Sequence, residues 1–357
     1  MDQIRDWFRR HLSDPQVVIL SLILLVGALV VTATSRLLAP VFASLVLAYL
    51  LEGAVRALVG RGLGRTTSAS LVFAGFMVAL VALLLVLGPA LWRQTAQLMA
   101  DLPQILSQGQ HVLMGLPERY PDLITEAQIG EVMVRIRGDL TGLGQAILQR
   151  SLASVVGMIT VMVYLVLMPL MVFFFMKDKD RIIAWAKTFL PEERALVRKV
   201  WQDVDLQIGN YIRGKVWEIA VVWAATALVF SLLDLRFAML LGFITGISVV
   251  IPYIGAAVVT IPVAVVAWFQ FGWSWDMGWV VIAYFAIQAL DGNVLVPILF
   301  SEVVDLHPIA IIVAVLFFGG IWGFWGVFFA IPLATVIKAV LSAWPAAAAP
   351  PQSTSEA

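Results

Sequence analysis

Long uncharged apolar runs alternate with short charged segments along this chain. Val17–Thr34 is the first, a run of 18 residues. That is the length of a transmembrane helix and exceeds a typical signal-peptide core. Further spans are predicted over about Leu37–Val59, Ala69–Trp92 and Leu152–Met176. Residues 93–150 change character, with five Arg against six Asp+Glu and with Pro103, Pro117 and Pro121 as breakers. Helical periodicity shows at Leu98, Leu102 and Ile105, and again at Leu140, Leu143 and Ile147. The stretch reads as a small helical insertion outside the bilayer.

Residues 177–213 are the most basic part, with Lys177, Lys179, Arg181, Lys187, Arg194, Arg198, Lys199 and Arg213. Pro191, Glu192 and Glu193 suit a helix start, since anions favour its positive end. Val197, Val200, Val204, Ile208 and Tyr211 then form an apolar stripe on a polar helix, packed on the membrane, a partner or the protein's own loops. A fifth span follows at about Val216–Leu233.

Beyond it, Phe237–Ile337 carries no Lys or Arg, but contains Asp276, Asp291, Glu302 and Asp305. Two apolar stretches there are too long for one pass. Phe237–Phe269 is broken at Ile251-Pro252-Tyr253-Ile254-Gly255, and Pro308–Leu341 at Gly319-Gly320-Ile321-Trp322-Gly323-Phe324-Trp325-Gly326, with Pro332 beyond. Pro removes a backbone donor and Gly weakens a helix. In hydrocarbon the freed groups need protein or water partners. Broken apolar segments are one mark of a transport site, while two ordinary helix pairs joined by tight turns would give the same pattern.

Composition agrees with a membrane protein: 61% apolar, 13% charged and a mean hydropathy of +0.96. Soluble domains run at about 25% charged. Twenty-three Lys+Arg against 23 Asp+Glu leave no net field for a nucleic-acid partner. Cysteine is absent, and there is no P-loop or H-E-x-x-H, so no cofactor, metal site or ATPase is expected. Basic residues at Arg5, Arg9 and Arg10, at Arg56, Arg61 and Arg65, and in 177–213 all fall on one side if the N-terminus is cytoplasmic, so the N-terminus is expected inside. The 93–150 insertion then faces outside and the C-terminus inside.

Polar residues within spans are the first candidates for function. Glu52 has Arg56 at i+4, and Glu218 has Lys215 at i−3, so both read as interfacial ion pairs. Asp291-Gly292-Asn293 has no cation near it in sequence. It closes a span of about Gly278–Leu290 and opens a connector through Pro297 and Glu302 to His307-Pro308, suited to a cation, a proton or a hydroxylated solute, or simply a solvated cap. Gly242-Phe243-Ile244-Thr245-Gly246 is a helix-packing GxxxG. Trp273, Trp275 and Trp279 suit an interfacial belt.

Three motifs carry a family resemblance: Ile251-Pro252-Tyr253-Ile254-Gly255; Asp291-Gly292-Asn293-Val294-Leu295-Val296-Pro297 with Leu306-His307-Pro308; and the Gly-rich run closed by Ala330-Ile331-Pro332-Leu333. With them the chain resembles the autoinducer-2 exporter family of bacterial membrane transporters over essentially its whole length. Ala256 departs from the proline that many relatives carry. The resemblance implies a homo-oligomeric inner-membrane secondary transporter that exports a small solute, such as a furanone-type signal. Sodium(lithium)/proton antiport is the alternative, and a membrane scaffold a third reading.

The expected fold is therefore all-α and polytopic, with about 7–8 transmembrane helices. The expected units are 1–92 (three spans), 93–150 (insertion), 151–176 (fourth span), 177–213 (amphipathic region), 214–342 (transport motifs) and 343–357 (a disordered tail). Asp291, Asn293, Pro297, Glu302 and His307 are the pathway candidates. Pro252, Tyr253, Gly255, Pro308, Gly319, Gly320, Gly323, Gly326 and Pro332 are the hinge candidates. The expected partners are a small-molecule or ion substrate, the lipid bilayer and further copies of the chain.

Overall fold

The computed structural model describes residues 15–115, 130, 131, 134, 135, 138, 142, 155–188, 195–300 and 306–343. Leu140, Leu143, Ile147, Pro191, Glu302 and nearly all of the expected tail lie outside these. The described elements are helical, without strands: α1 (Pro15–Gly60), α2 (Arg65–Met114), α3 (Val155–Lys177), α4 (Lys179–Lys187), α5 (Ala195–Leu232), α6 (Ala238–Ser248), α7 (Ile254–Phe271) and α8 (Trp275–Leu290) come first. A π turn (Asp291–Leu295), α9 (Val296–Phe300), α10 (Pro308–Trp322), α11 (Phe324–Phe328) and α12 (Ala330–Ala343) complete the order. Among the described residues, five helices are long and apolar enough to cross a membrane, and Val163–Lys177, Ala238–Ser248 and Pro308–Trp322 are shorter apolar helices. The fold is all-α and polytopic.

Three expected boundaries fall inside continuous helices. The first two spans are one helix, α1, because Thr34-Ser35-Arg36-Leu37 contains no breaker and Pro40 is carried within the helix. Its 46 residues rise about 69 Å, against a hydrocarbon core of about 30 Å. The reversal expected between the first two spans is therefore absent from the described residues, and Arg5, Arg9 and Arg10 lie outside them. The boundary after residue 92 is likewise absent. α2 continues to Met114 through Pro89 and Pro103. The amphipathic region and the fifth span are also one helix, α5.

Both broken segments are hairpins. In the first, α6 and α7 meet at a tip where Tyr253 has φ 63°. A Cβ on Gly255 would lie 1.8 Å from the Ser248 carbonyl oxygen, so only glycine permits this approach. α6 has 11 residues, rising about 17 Å, too short to cross the core alone. In the second, Gly323 at φ 59° ends α10, and a Cβ on Gly326 would lie 1.9 Å from the Phe318 carbonyl oxygen. Gly319 faces Val327, whereas Gly320 faces open space. Pro332 sits in the first turn of α12, where a missing N–H costs no helical bond.

Among the described residues, three apolar clusters hold these parts together. Ala48, Val55, Ala69, Val172 and Met176 join α1, α2 and α3. Phe230, Leu241, Val263, Val280 and Tyr284 join α5 to α6, α7 and α8. The third gathers Tyr211, Ile212, Val250, Phe300, Ile311, Phe328 and Ile331, and so brings α5 against both broken segments. The GxxxG acts within the chain: a Cβ on Gly242 would meet Ala227, and one on Gly246 would meet Trp223, so α6 lies directly on α5.

Candidate functional site

Tyr211, Lys215 and Glu218 recur on α5 at i, i+4 and i+7, which sets them on one helical face. All three are buried. Lys215 Nζ is 2.6 Å from Glu218 Oε2 and donates to the Val249 carbonyl, at the C-terminal end of α6, over 3.1 Å. The ammonium also sits 5.9 Å from the Tyr211 ring centroid and 5.2 Å from that of Phe300, within cation–π range. Tyr211 Oη donates to the Phe328 carbonyl at 2.9 Å. Two side chains one turn apart on α5 thus hold a carbonyl in each broken segment.

Asp291, at the start of the π turn, adds a second carboxylate near this cluster. It is buried, with Oδ1 lacking a hydrogen-bond partner, and lies within electrostatic reach of Lys215 and Glu218. The π turn it opens is closed by the Val296 N–H donating to the Asp291 carbonyl. Pro297 follows immediately, and its ring would crowd the Asn293 carbonyl in a regular helix. The wider turn relieves that crowding and re-aims Asp291. Such π insertions in α-helices occur frequently at functional sites. Along α5, Lys215 lies about 15 Å from Asp205 and about 26 Å from Leu232, well inside the span.

The other pathway candidates are not brought to this cluster. Asn293 is exposed and its Nδ2 donates to the Ala289 carbonyl at 2.8 Å, a bond within its own helix. His307 is exposed and caps α10, its Nδ1 accepting from the Ile309 N–H at 3.2 Å, with Pro308 at the first helical position. Pro297 is exposed; it shapes the turn rather than facing the cluster. Pro252 and Tyr253 lie at the first hairpin's tip.

Tyr211 and Phe300 were not legible as site residues. Lys215 and Glu218 do pair, but deep within the bundle rather than at an interface. The available signal was a Lys and a Glu inside an apolar helix, which membrane energetics marks as functional.

A second charged network closes one end of the bundle. Glu52 binds Arg56 at 3.1 Å, as its spacing predicts, and also Arg65 at 2.9 Å and Lys179 at 3.5 Å. Arg65 additionally donates to the Met176 carbonyl at 2.7 Å, and Tyr49 to Asp205. At the opposite end, Arg236 pairs with Asp101 at 2.5 Å. The Leu240 N–H donates to Gln94 there, and exposed Trp273 and Trp275 follow α7.

An all-α bundle with two interrupted helices, one held by a buried ammonium and the other by a buried tyrosine of the same span, has the build of a multi-pass membrane transporter. Residues 19–346 match the AI-2E family transporter profile, and the chain belongs to that family. It is 46% identical over 345 residues to the Escherichia coli (strain K12) protein named "Putative permease PerM", covering 97% of this chain and 98% of that one. Bacillus subtilis (strain 168) contributes "Putative transport protein YueF", 26% identical over 310 residues, 85% of this chain and 83% of that one.

Proposed function

We propose that this protein is a secondary transporter of the bacterial inner membrane that exports a small solute, with the furanone-type signal autoinducer-2 as the first candidate. The observation that carries the reading is the buried Lys215–Glu218–Asp291 cluster beside the tip of the first broken segment. Buried charge in a membrane span is costly and is kept mainly on substrate and ion pathways. The chain has no P-loop, so an ion gradient or the solute's own gradient drives the movement. The end bearing Arg56, Arg65 and Lys179 faces the cytoplasm by the positive-inside rule, which puts the opposite end, with Asp101 and Arg236, outside.

Flux of the furanone signal from proteoliposomes tests this. Asp291→Asn should lower the rate by about tenfold or more, the scale of one charged interaction. Asn293→Ala should leave it unchanged, since that amide serves its own helix. Parental flux in Asp291→Asn overturns the assignment. One observation favours sodium(lithium)/proton antiport as a second reading: the cluster holds two carboxylates and one ammonium. In that case Na⁺ or Li⁺ added to acid-loaded vesicles makes the lumen more alkaline; a silent assay removes it.

A further inference from the structure

We propose that Glu218 and Asp291 share one exchangeable proton. Lys215 passes between the two carboxylates, so the proton's position decides whether the tip of the first hairpin is held. The idea deepens the transport reading and rests on it for its purpose, but not for its test.

The argument begins with a charge count. The titratable side chains facing the cluster, among the described residues, are Tyr211, Lys215 and Glu218 from α5 and Asp291 from the π turn. α9 contributes the Phe300 ring, and α6 hands over to the Val249 carbonyl. Arg213, two residues from Lys215, is engaged by Asn210 at 2.7 Å. One ammonium against two carboxylates leaves one negative charge, and a single proton on the pair brings the buried site to neutrality. A metal cation would need several converging oxygens, whereas a proton needs only one carboxylate.

The geometry then assigns the proton's two positions. In this structure the Lys215 ammonium lies 2.6 Å from Glu218 Oε2 and holds the Val249 carbonyl, while Asp291 is buried outside that ion pair. That arrangement fits a proton on Asp291. When the proton leaves Asp291 for water, the carboxylate formed draws the ammonium toward it. Glu218 then takes up a proton in turn, and only O–H bonds form or break. Lys215 leaves Val249 in that step. Gly255 lies against the Ser248 carbonyl, so the two arms meet rigidly at the tip and move together once it is freed.

Infrared difference spectra of the full chain in nanodiscs, taken between neutral and alkaline buffer, where ordinary carboxylates stay ionised, test the proton directly. The parent should show the C=O stretch of a protonated carboxyl, and Glu218→Gln with Asp291→Asn together should remove it. Lys215→Met leaves both carboxylates without their cation, and the band should grow to roughly twice its area on the charge count. The chain has no cysteine, so Val258→Cys on exposed α7 takes a single spin label. Its mobility should change with pH in the parent and not with Lys215→Met added. No carboxylic band in the parent, a band surviving the double substitution, or a label response that ignores Lys215 each overturns the proposal. A band without solute flux instead removes the transport reading and leaves this one standing; flux with no band does the reverse.

Discussion

Gly255 and Gly326 each lie against a carbonyl of the opposing arm, at distances no side chain can share. Gly255→Ala and Gly326→Ala should each cost about 1–3 kcal/mol or more, because backbone must shift to admit the methyl group. Gly292→Ala and Gly320→Ala meet nothing within 4 Å and should melt close to the parent in detergent. Tyr211→Phe keeps the ring among Phe300 and Phe328 but strands the Phe328 carbonyl, at about 1–3 kcal/mol. These glycines were legible in the sequence, because residues that break a helix stand out within an apolar run. Lys215 and Glu218 were not, since an i,i+3 pair has the same spacing whether it lies at an interface or in a core. Burial comes from neighbours distant in sequence: Phe300, Val249 and Asp291.

At the scale of elements, the runs were legible and their ends were not. Hydropathy changes where a helix leaves lipid, but backbone hydrogen bonding continues until a breaker stops it. α1, α2 and α5 therefore run through boundaries that polarity suggested. The breaks that the sequence did place, at Pro252 and Gly323, coincide with residues that restrict or free the backbone. The same contrast applies to charge. Glu52→Gln leaves Arg65 and Lys179 facing one another across α1, α2 and α4. It should lower stability by about 3–5 kcal/mol, the scale of breaking a buried pair. Arg56 has a side chain 64% exposed, and Arg56→Ala should cost at most about 1 kcal/mol. Thermal unfolding in detergent separates the two.

For the whole molecule, the long helix α2 ties the two ends together. Arg65 fixes it to Glu52 at one end, while Gln94 and Asp101 fix it to the mouth of the first hairpin at the other. The 36 residue steps from Arg65 to Asp101 make a spacer of about 54 Å. A helix resists stretching far more than a lipid film resists thinning, so its rest length is set by the chain and not by the bilayer. A thicker or thinner membrane is then accommodated by tilt, and tilt pulls on Arg236 and Leu240 at the base of the hairpin. Bilayer thickness becomes a mechanical input to the first hairpin. Flux measured across vesicles of increasing acyl length should peak at one thickness, and Asp101→Asn, which loosens the pair with Arg236, should flatten that peak.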